Sequence, residues 1–148
     1  MTERLTQQFD FLLEIDKAKR IQRQTYCSDG ETLENDAEHG WHAALMAILL
    51  SEYANEPIDV LKTVTMLLIH DIVEIDAGDT YAYDDAGVAT QAQREDAAAQ
   101  RIYSILPEDQ GRKMLELWQE FERGDSAEAC FAKVLDKVQP IMLNAATD

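Results

Sequence analysis

Pro57-Ile58-Asp59-Val60-Leu61-Lys62-Thr63-Val64-Thr65-Met66-Leu67-Leu68-Ile69-His70-Asp71-Ile72-Val73-Glu74-Ile75-Asp76-Ala77-Gly78 reads as one helix. Pro57 suits its first position and Asp59 its first turn, where a negative charge meets the positive end of the helix. Leu61, Val64, Leu67, Leu68, Ile72 and Val73 then recur on most sides, so this helix is expected to be central and buried. Gly78 ends it. Its last turns hold His70-Asp71-Ile72-Val73-Glu74. At about 100° per residue His70 and Glu74 share a face one turn apart, with Asp71 close by. Asp76 follows, and Asp79 comes just after Gly78. Four acids and a histidine thus crowd the end of an otherwise apolar helix.

The same periodicity extends in both directions. A first helix is expected over roughly Thr2–Lys19, with Leu5, Phe9, Leu12, Leu13 and Ile15 as its apolar stripe. A polar segment, Arg20 to Glu34, follows, and its Ser28-Asp29-Gly30 reads as a turn. A second helix opens at Asn35 or Asp36, either of which caps it, and runs past His39, Trp41, Leu45, Ile48 and Leu49 to about Tyr53. After Gly78, Tyr81 to Val88 reads as a loop. A fourth helix spans about Thr90–Leu106, and Pro107 opens a fifth over about Glu108–Arg123, ended by Gly124. Ser126-Ala127-Glu128 starts a sixth carrying Phe131, Val134, Leu135 and Val138, which Pro140 should kink or restart. Strand-like alternation and internal repeats are absent. The expectation is an all-α fold of about six helices in one domain, residues 1–148. The chain stops at Ala146-Thr147-Asp148, which fits either a natural end or a longer protein.

Composition narrows the function. The chain has 148 residues, of which 46% are apolar, enough for a real core. Its net charge of −16 repels nucleic-acid backbones and anionic lipid, so a DNA or RNA coat is excluded. A small nucleotide at a local positive site stays compatible with it. No apolar run approaches the roughly 20 residues that span a bilayer. The first residues, Met1-Thr2-Glu3-Arg4-Leu5-Thr6, lack a signal-peptide pattern, so a cytoplasmic location is the expectation. Cys27 and Cys130 form no metal or disulfide pattern.

Burying ionised groups is costly unless they pair or bind a cation. One reading pairs His70 and Asp71 with each other or with Lys and Arg elsewhere. The other is a divalent metal held by imidazole and carboxylate. One helix offers His70 and Asp71, the second offers His39, and Asp136 is the best fourth donor, set between Leu135 and Val138. His42, one turn after His39, is a further candidate or a helix-surface residue. Lys17, Lys19, Arg20 and Arg23 form the most obvious phosphate-binding candidate in so acidic a chain; the alternative is a solvated face. Trp41, Met46, Met66, Trp118 and Phe121 read as core.

The ordered set Ala37-Glu38-His39, His70-Asp71-Ile72-Val73-Glu74, Gly78-Asp79-Thr80 and Leu135-Asp136-Lys137 resembles the HD-domain metal-dependent phosphohydrolases, within them the 5′-deoxynucleotidase branch. The resemblance runs from about Ile15 to Leu143. It implies an all-α bundle around a central metal held by His39, His70, Asp71 and Asp136. It implies that Glu74 acts on the attacking water, that Asp79 orients the substrate sugar or a water, and that Arg23, with Arg20 as alternate, binds phosphate. One divalent cation is implied: manganese, cobalt, iron, nickel, zinc or magnesium. The implied substrate is a (deoxy)nucleoside 5′-monophosphate or similar small phosphate, and family habit suggests a homodimer. Gln24-Thr25-Tyr26-Cys27 and the acidic loop Tyr81–Val88 depart from the family pattern. They motivate an alternative, a catalytically silent metal- or nucleotide-binding regulatory module. A third reading is an acidic helical interaction domain with its His and Asp groups paired internally.

Overall fold

The structure is a computed structural model that describes residues 1–78 and 85–147, with the backbone alone for 85–89. Among the described residues there are six helices of ten residues or more, one single-turn helix and one two-stranded hairpin. The all-α expectation therefore holds, with the hairpin as an addition. Two compact units can be distinguished. The first is Met1–Ala18 with Ile72–Glu116, the second Lys19–Asp71 with Leu117–Asp148.

In the first unit, α1 (Glu3–Ile15) is capped by the Thr2 hydroxyl, which accepts from the Leu5 N–H at 3.1 Å. Phe11 is its buried residue and meets Tyr103 of α5 (Asp85–Tyr103), ring centroids 6.3 Å apart. Arg4 forks onto both carboxylate oxygens of Asp109 at 2.7 and 3.0 Å. Arg101 joins Glu14 and Asp76 at the surface, where such pairs contribute little. The single turn α4 (Glu74–Ala77) closes at Gly78, whose φ of +72° is left-handed and whose N–H reaches the Glu74 carbonyl at 2.9 Å. The expected α1 stripe is not a core face. Leu5, Phe9, Leu12 and Leu13 are all exposed, Leu13 by 73%, and the first three line a cleft of about 450 Å³ with Phe11, Leu106 and Met114.

The second unit carries the main core. Asn35 and Glu38 form a reciprocal capping box that opens α2 (Asp36–Leu50), at 2.8 and 3.0 Å. The Asp59 carboxylate caps α3 (Val60–Ile69) by accepting from the Lys62 N–H at 3.1 Å. Ser126 caps α7 (Ala127–Ala146) in the same way. Ala43, Met46 and Ala47 of α2 meet Met66 and Leu67 of α3, Phe121 of α6 (Glu108–Arg123), and Ala129, Ala132 and Leu135 of α7. Gly40, Ala43, Ala44 and Ala47 give α2 a face of small residues. A Cβ built on Gly40 would lie 3.5 Å from the Leu67 carbonyl, so α2 and α3 approach closely there. Lys62 ties α3 to Glu120 at 2.8 Å and to Glu128 at 3.7 Å.

Several expectations are corrected. The expected helix from Pro57 to Gly78 is two helices: Pro57 and Asp59 precede α3, and hydrogen-bonded turns over residues 70–73 separate it from α4. His70 supplies a reason for the break. Its Nδ1 lies 2.6 Å from the Leu67 carbonyl, the acceptor that a continuing α-helix would give to residue 71. The polar segment Arg20 to Glu34 contains an antiparallel hairpin, β1 (Gln22–Tyr26) and β2 (Leu33–Asn35), with Gln22 opposite Asn35 and Tyr26 opposite Leu33. Asp29 shapes its turn by accepting from the N–H groups of Glu31 and Thr32 at 2.9 and 3.0 Å. Its strands escape a hydrophobic-alternation search because the inward positions of β1 are Arg23 and Thr25.

The expected loop Tyr81–Val88 falls partly outside the described residues, but from Asp85 onward the chain is helical. Gly87, read as a loop residue, costs a helix interior only about 1 kcal/mol. The 3-10 segment Asp16–Arg20 replaces the last turn of the expected first helix. α7 continues through Pro140, which can offer no N–H to the Asp136 carbonyl four residues back. Met46, Met66, Trp118 and Phe121 are buried as expected; Trp41 is not, being 61% exposed. It lies off the His39, Ala43 and Met46 face of its helix. Leu67 is fully enclosed in the second unit's core. Leu67→Ala is expected to lose about 2–5 kcal/mol in chemical denaturation. A loss under about 1 kcal/mol would show that this core does not hold the helices together.

Candidate metal centre

Three elements of the second unit present four side chains to one point. α2 supplies His39, on the same buried face as Ala43 and Met46. The C-terminal end of α3 supplies His70, and Asp71 follows in the turn. α7 supplies Asp136. One ligand atom from each lies within 4.8 Å of the others. Asp136 Oδ1 is 2.6 Å from His39 Nε2 and 2.9 Å from His70 Nε2. Asp71 Oδ2 is 3.2 Å from His70 Nε2 and 3.9 Å from His39 Nε2. His39 is wholly buried and His70 nearly so, while the two aspartates are half-buried.

The donor set fits a first-row divalent cation. Two imidazole nitrogens and two carboxylates offer mixed N and O ligation with two negative charges to set against the ion. Both rings turn Nε2 to the shared point, and both have Nδ1 engaged elsewhere. His70 Nδ1 meets the Leu67 carbonyl at 2.6 Å, and His39 Nδ1 meets Gln139 Oε1 at 2.7 Å. Such outer partners orient ligating histidines. The ring of Phe121, centroid 5.0 Å from that of His70, closes an apolar side.

Burial pushes the His70 imidazole down, but Asp71 and Asp136 outweigh it and hold the ring well above the ordinary histidine range. Burial would raise the Asp136 carboxyl. The hydrogen bonds and charges of His39 and His70 prevail instead and hold it far below the usual carboxylate range. Asp71 is lowered too, its burial outweighed by His70, Arg23 and His39.

Other candidate residues fall at different places. Arg23, on β1, has Nη1 3.2 Å from Asp71 Oδ2 and 3.7 Å from Asp36 Oδ1, and Nε 3.5 Å from Glu34 Oε1. It therefore adjoins one of the four donors. Arg20 is exposed at the end of its 3-10 segment. His42 is not in the four-residue cluster; its Nδ1 lies 3.0 Å from Gln139 Nε2. Glu74 opens α4, three residues past Asp71 in the chain. Asp79 lies outside the described residues.

None of Glu34, Asp36 and Gln139 is a sequence-predicted site residue, Asp36 being named only as a cap candidate where the cap is Asn35, yet all three are buried polar groups of this unit. Glu34 and Asp36 flank the α2 cap and read as ordinary capping acids. Gln139 did leave a signal, because Ala132, Leu135, Gln139 and Leu143 share one buried face of α7. Asp136 is beside that face, not on it, and Val138 is exposed.

Residues 15–148 match the HD domain family. The human 5'-deoxynucleotidase HDDC2 is 30% identical over 133 residues, which cover 89% of this chain and 64% of that protein. The chain thus spans just under two thirds of the length of that relative. A crystal structure from Magnetospirillum magnetotacticum, of a protein named as a predicted metal-dependent phosphohydrolase, is 50% identical. It superposes with a TM-score of 0.90, over 97% of this chain and 72% of that one. A Pyrococcus horikoshii protein, 21% identical with a TM-score of 0.70 over 88% of this chain and 72% of its own, shares the fold. The chain belongs to the HD domain family. Membership implies a divalent cation, and the four converging donors fit one.

The pKa directions predict how stability and cation binding respond to pH. His70 is raised on folding, so in the metal-free protein its contribution is complete below about pH 6.5 and is lost as pH rises through the folded value. A cation needs that nitrogen deprotonated, so binding displaces a proton and strengthens as pH rises. The gap in Tm between manganese-loaded and chelator-treated protein should widen from mildly acidic to mildly alkaline buffer. A gap independent of pH would remove His70 from the ligand set.

Proposed function

We propose that this chain is a metal-dependent phosphohydrolase that cleaves the phosphomonoester of a (deoxy)nucleoside 5′-monophosphate or a similar small phosphate. The observation that carries this reading is the convergence of His39, His70, Asp71 and Asp136 in a chain of the HD domain family. These four would hold the cation, and of the candidates manganese, cobalt, iron, nickel and zinc suit two imidazoles and two carboxylates better than magnesium does. When bound, the cation supplies positive charge beside the phosphate oxygens and lowers the pKa of a water.

The remaining chemistry belongs to the protein. Arg23 offers a guanidinium whose Nη1 lies by Asp71 and Asp36 and whose Nε lies by Glu34. In a chain of net charge −16, a phosphate needs local positive charge, and Arg23 would add to what the bound cation supplies. Arg20 is the alternate for that task. Glu74 takes the proton of the attacking water, directly or through a second water. Asp79 orients the sugar or a water. The human relative's name supports a deoxynucleotide as substrate.

Among the described residues no helix is long and apolar enough to cross a membrane. We take residues 1–148 as one HD domain that works in the cytoplasm as a homodimer. Exposed Trp41, Ile48 and Leu49 on α2 and Val134 and Ile141 on α7 are compatible with a partner copy.

Elemental analysis of protein purified without a metal-binding tag should find about one equivalent of a divalent metal, lost in His70→Ala. With manganese or cobalt added, phosphate release from at least one member of a deoxynucleoside monophosphate panel is expected. Glu74→Ala should keep the metal while turnover falls about 10²–10⁴-fold. Metal-loaded protein that releases no phosphate from any panel member would sink the enzymatic reading. Undiminished turnover in Glu74→Ala would sink the role given to that residue.

A further inference from the structure

Gln139 is outside the four-donor cluster, but its amide touches that cluster and is wholly buried. It follows Asp136 by three residues on α7, so the two neighbour each other along the helix. Its Oε1 lies 2.7 Å from His39 Nδ1. Its Nε2 lies 2.6 Å from Glu34 Oε2 and 3.0 Å from His42 Nδ1. Both amide hydrogens and one carbonyl lone pair therefore have partners.

These contacts define a direction. Glu34 is buried, and its Oε1 is 3.5 Å from both Arg23 Nε and His39 Nδ1. A carboxylate only accepts hydrogen bonds. The amide nitrogen of Gln139 must then face Glu34, and its carbonyl must face His39. The opposite orientation would set two acceptor oxygens 2.6 Å apart in a buried place. A carbonyl also only accepts, so the hydrogen of the His39 contact sits on Nδ1. That leaves the Nε2 lone pair for the point shared with His70, Asp71 and Asp136.

We propose that Glu34 and Gln139 form a clamp that fixes His39 in its Nδ1–H tautomer and thereby makes Nε2 its ligating atom. Gln139 is a positioning residue in this scheme. The inference rests on reading the four-residue cluster as a metal centre. The contrast with His70 explains why two residues are needed. The Nδ1 of His70 meets a backbone carbonyl, whose orientation the helix fixes. The Nδ1 of His39 meets a side-chain amide, which could rotate end for end unless a second group held it. His42 adds to the hold, since its Nδ1 takes the second amide hydrogen.

The test uses the whole chain and zinc, a diamagnetic probe, titrated against a chromophoric chelator, with ¹⁵N-histidine NMR of the zinc-loaded protein. Gln139→Met keeps the approximate volume and removes the acceptor. It should weaken zinc binding about 10–100-fold, and the hydrogen-bonded Nδ1–H signal of His39 should be lost. Gln139→Glu alone should also weaken binding, because it sets two carboxylates face to face. Combining it with Glu34→Gln keeps one amide and one carboxylate in the pair with their places exchanged, and should restore most of the affinity. Packing alone would predict no such rescue. Wild-type affinity in Gln139→Met, or an Nε2–H signal for His39 in the zinc-loaded wild type, would overturn the clamp. Should Gln139→Met fail to fold, the exchanged pair decides: affinity no better than that of Gln139→Glu alone would overturn it. A wild-type protein that binds no zinc would overturn the metal centre and the clamp with it. Tight wild-type binding that is indifferent to Gln139 would overturn the clamp alone.

Discussion

Two imidazoles and two carboxylates within 4.8 Å of one another, largely out of water, are the constraint on which the second unit is built. Such groups are tolerable only if every remaining polar atom nearby is engaged and the net charge is met. The surroundings answer the first demand at the two rings and the second only in part, since Arg23 is the one guanidinium set against Glu34, Asp36 and Asp71 among the described residues. Leu67 and Gln139 occupy the outer nitrogens of the rings, and Arg23 stands against Asp71. Arg23 in turn is set by a hairpin that would otherwise have little reason to exist. β1 and β2 bury few apolar side chains; what they do is hold a guanidinium and the Glu34 carboxylate at the edge of the cluster.

The same constraint accounts for the broken helix. A continuous helix through residues 57–78 would satisfy local propensity. Instead, His70 spends the Leu67 carbonyl on its ring, and the backbone turns at Asp71. Local preference thus gives way where the functional side chains sit, which is where consistency across levels is expected to fail.

That failure also marks what could be read from the chain. α6 is legible to both ends because Pro107 and Gly124 punctuate an amphipathic run. The four cluster residues are legible because chemically matched types recur in a fixed order. The hairpin is not, since its inward positions are polar and its strands are short. The exposed stripe on α1 is not, since helical periodicity gives a face without saying what covers it. Glu34 looks ordinary in isolation and Gln139 shows only as a polar residue on an apolar face; only the fold shows that these residues, 105 positions apart, share a hydrogen bond. Trp41 has the size of a core residue but an angular place on α2 that leaves it exposed.

The small-residue face of α2 has a consequence beyond packing. His39 rides on that face, four residues before the wholly enclosed Ala43, and Ala43 shares a buried cluster with Leu67, three residues before His70. The spacing between the two rings is therefore governed by side-chain bulk one turn or more away from either. Core volume and the geometry of the four side chains become a single variable, and a larger side chain at the wholly enclosed Ala43 or Ala47 would act as a wedge between the helices. The choice among cations of different radius is thus open to adjustment by residues that never touch one.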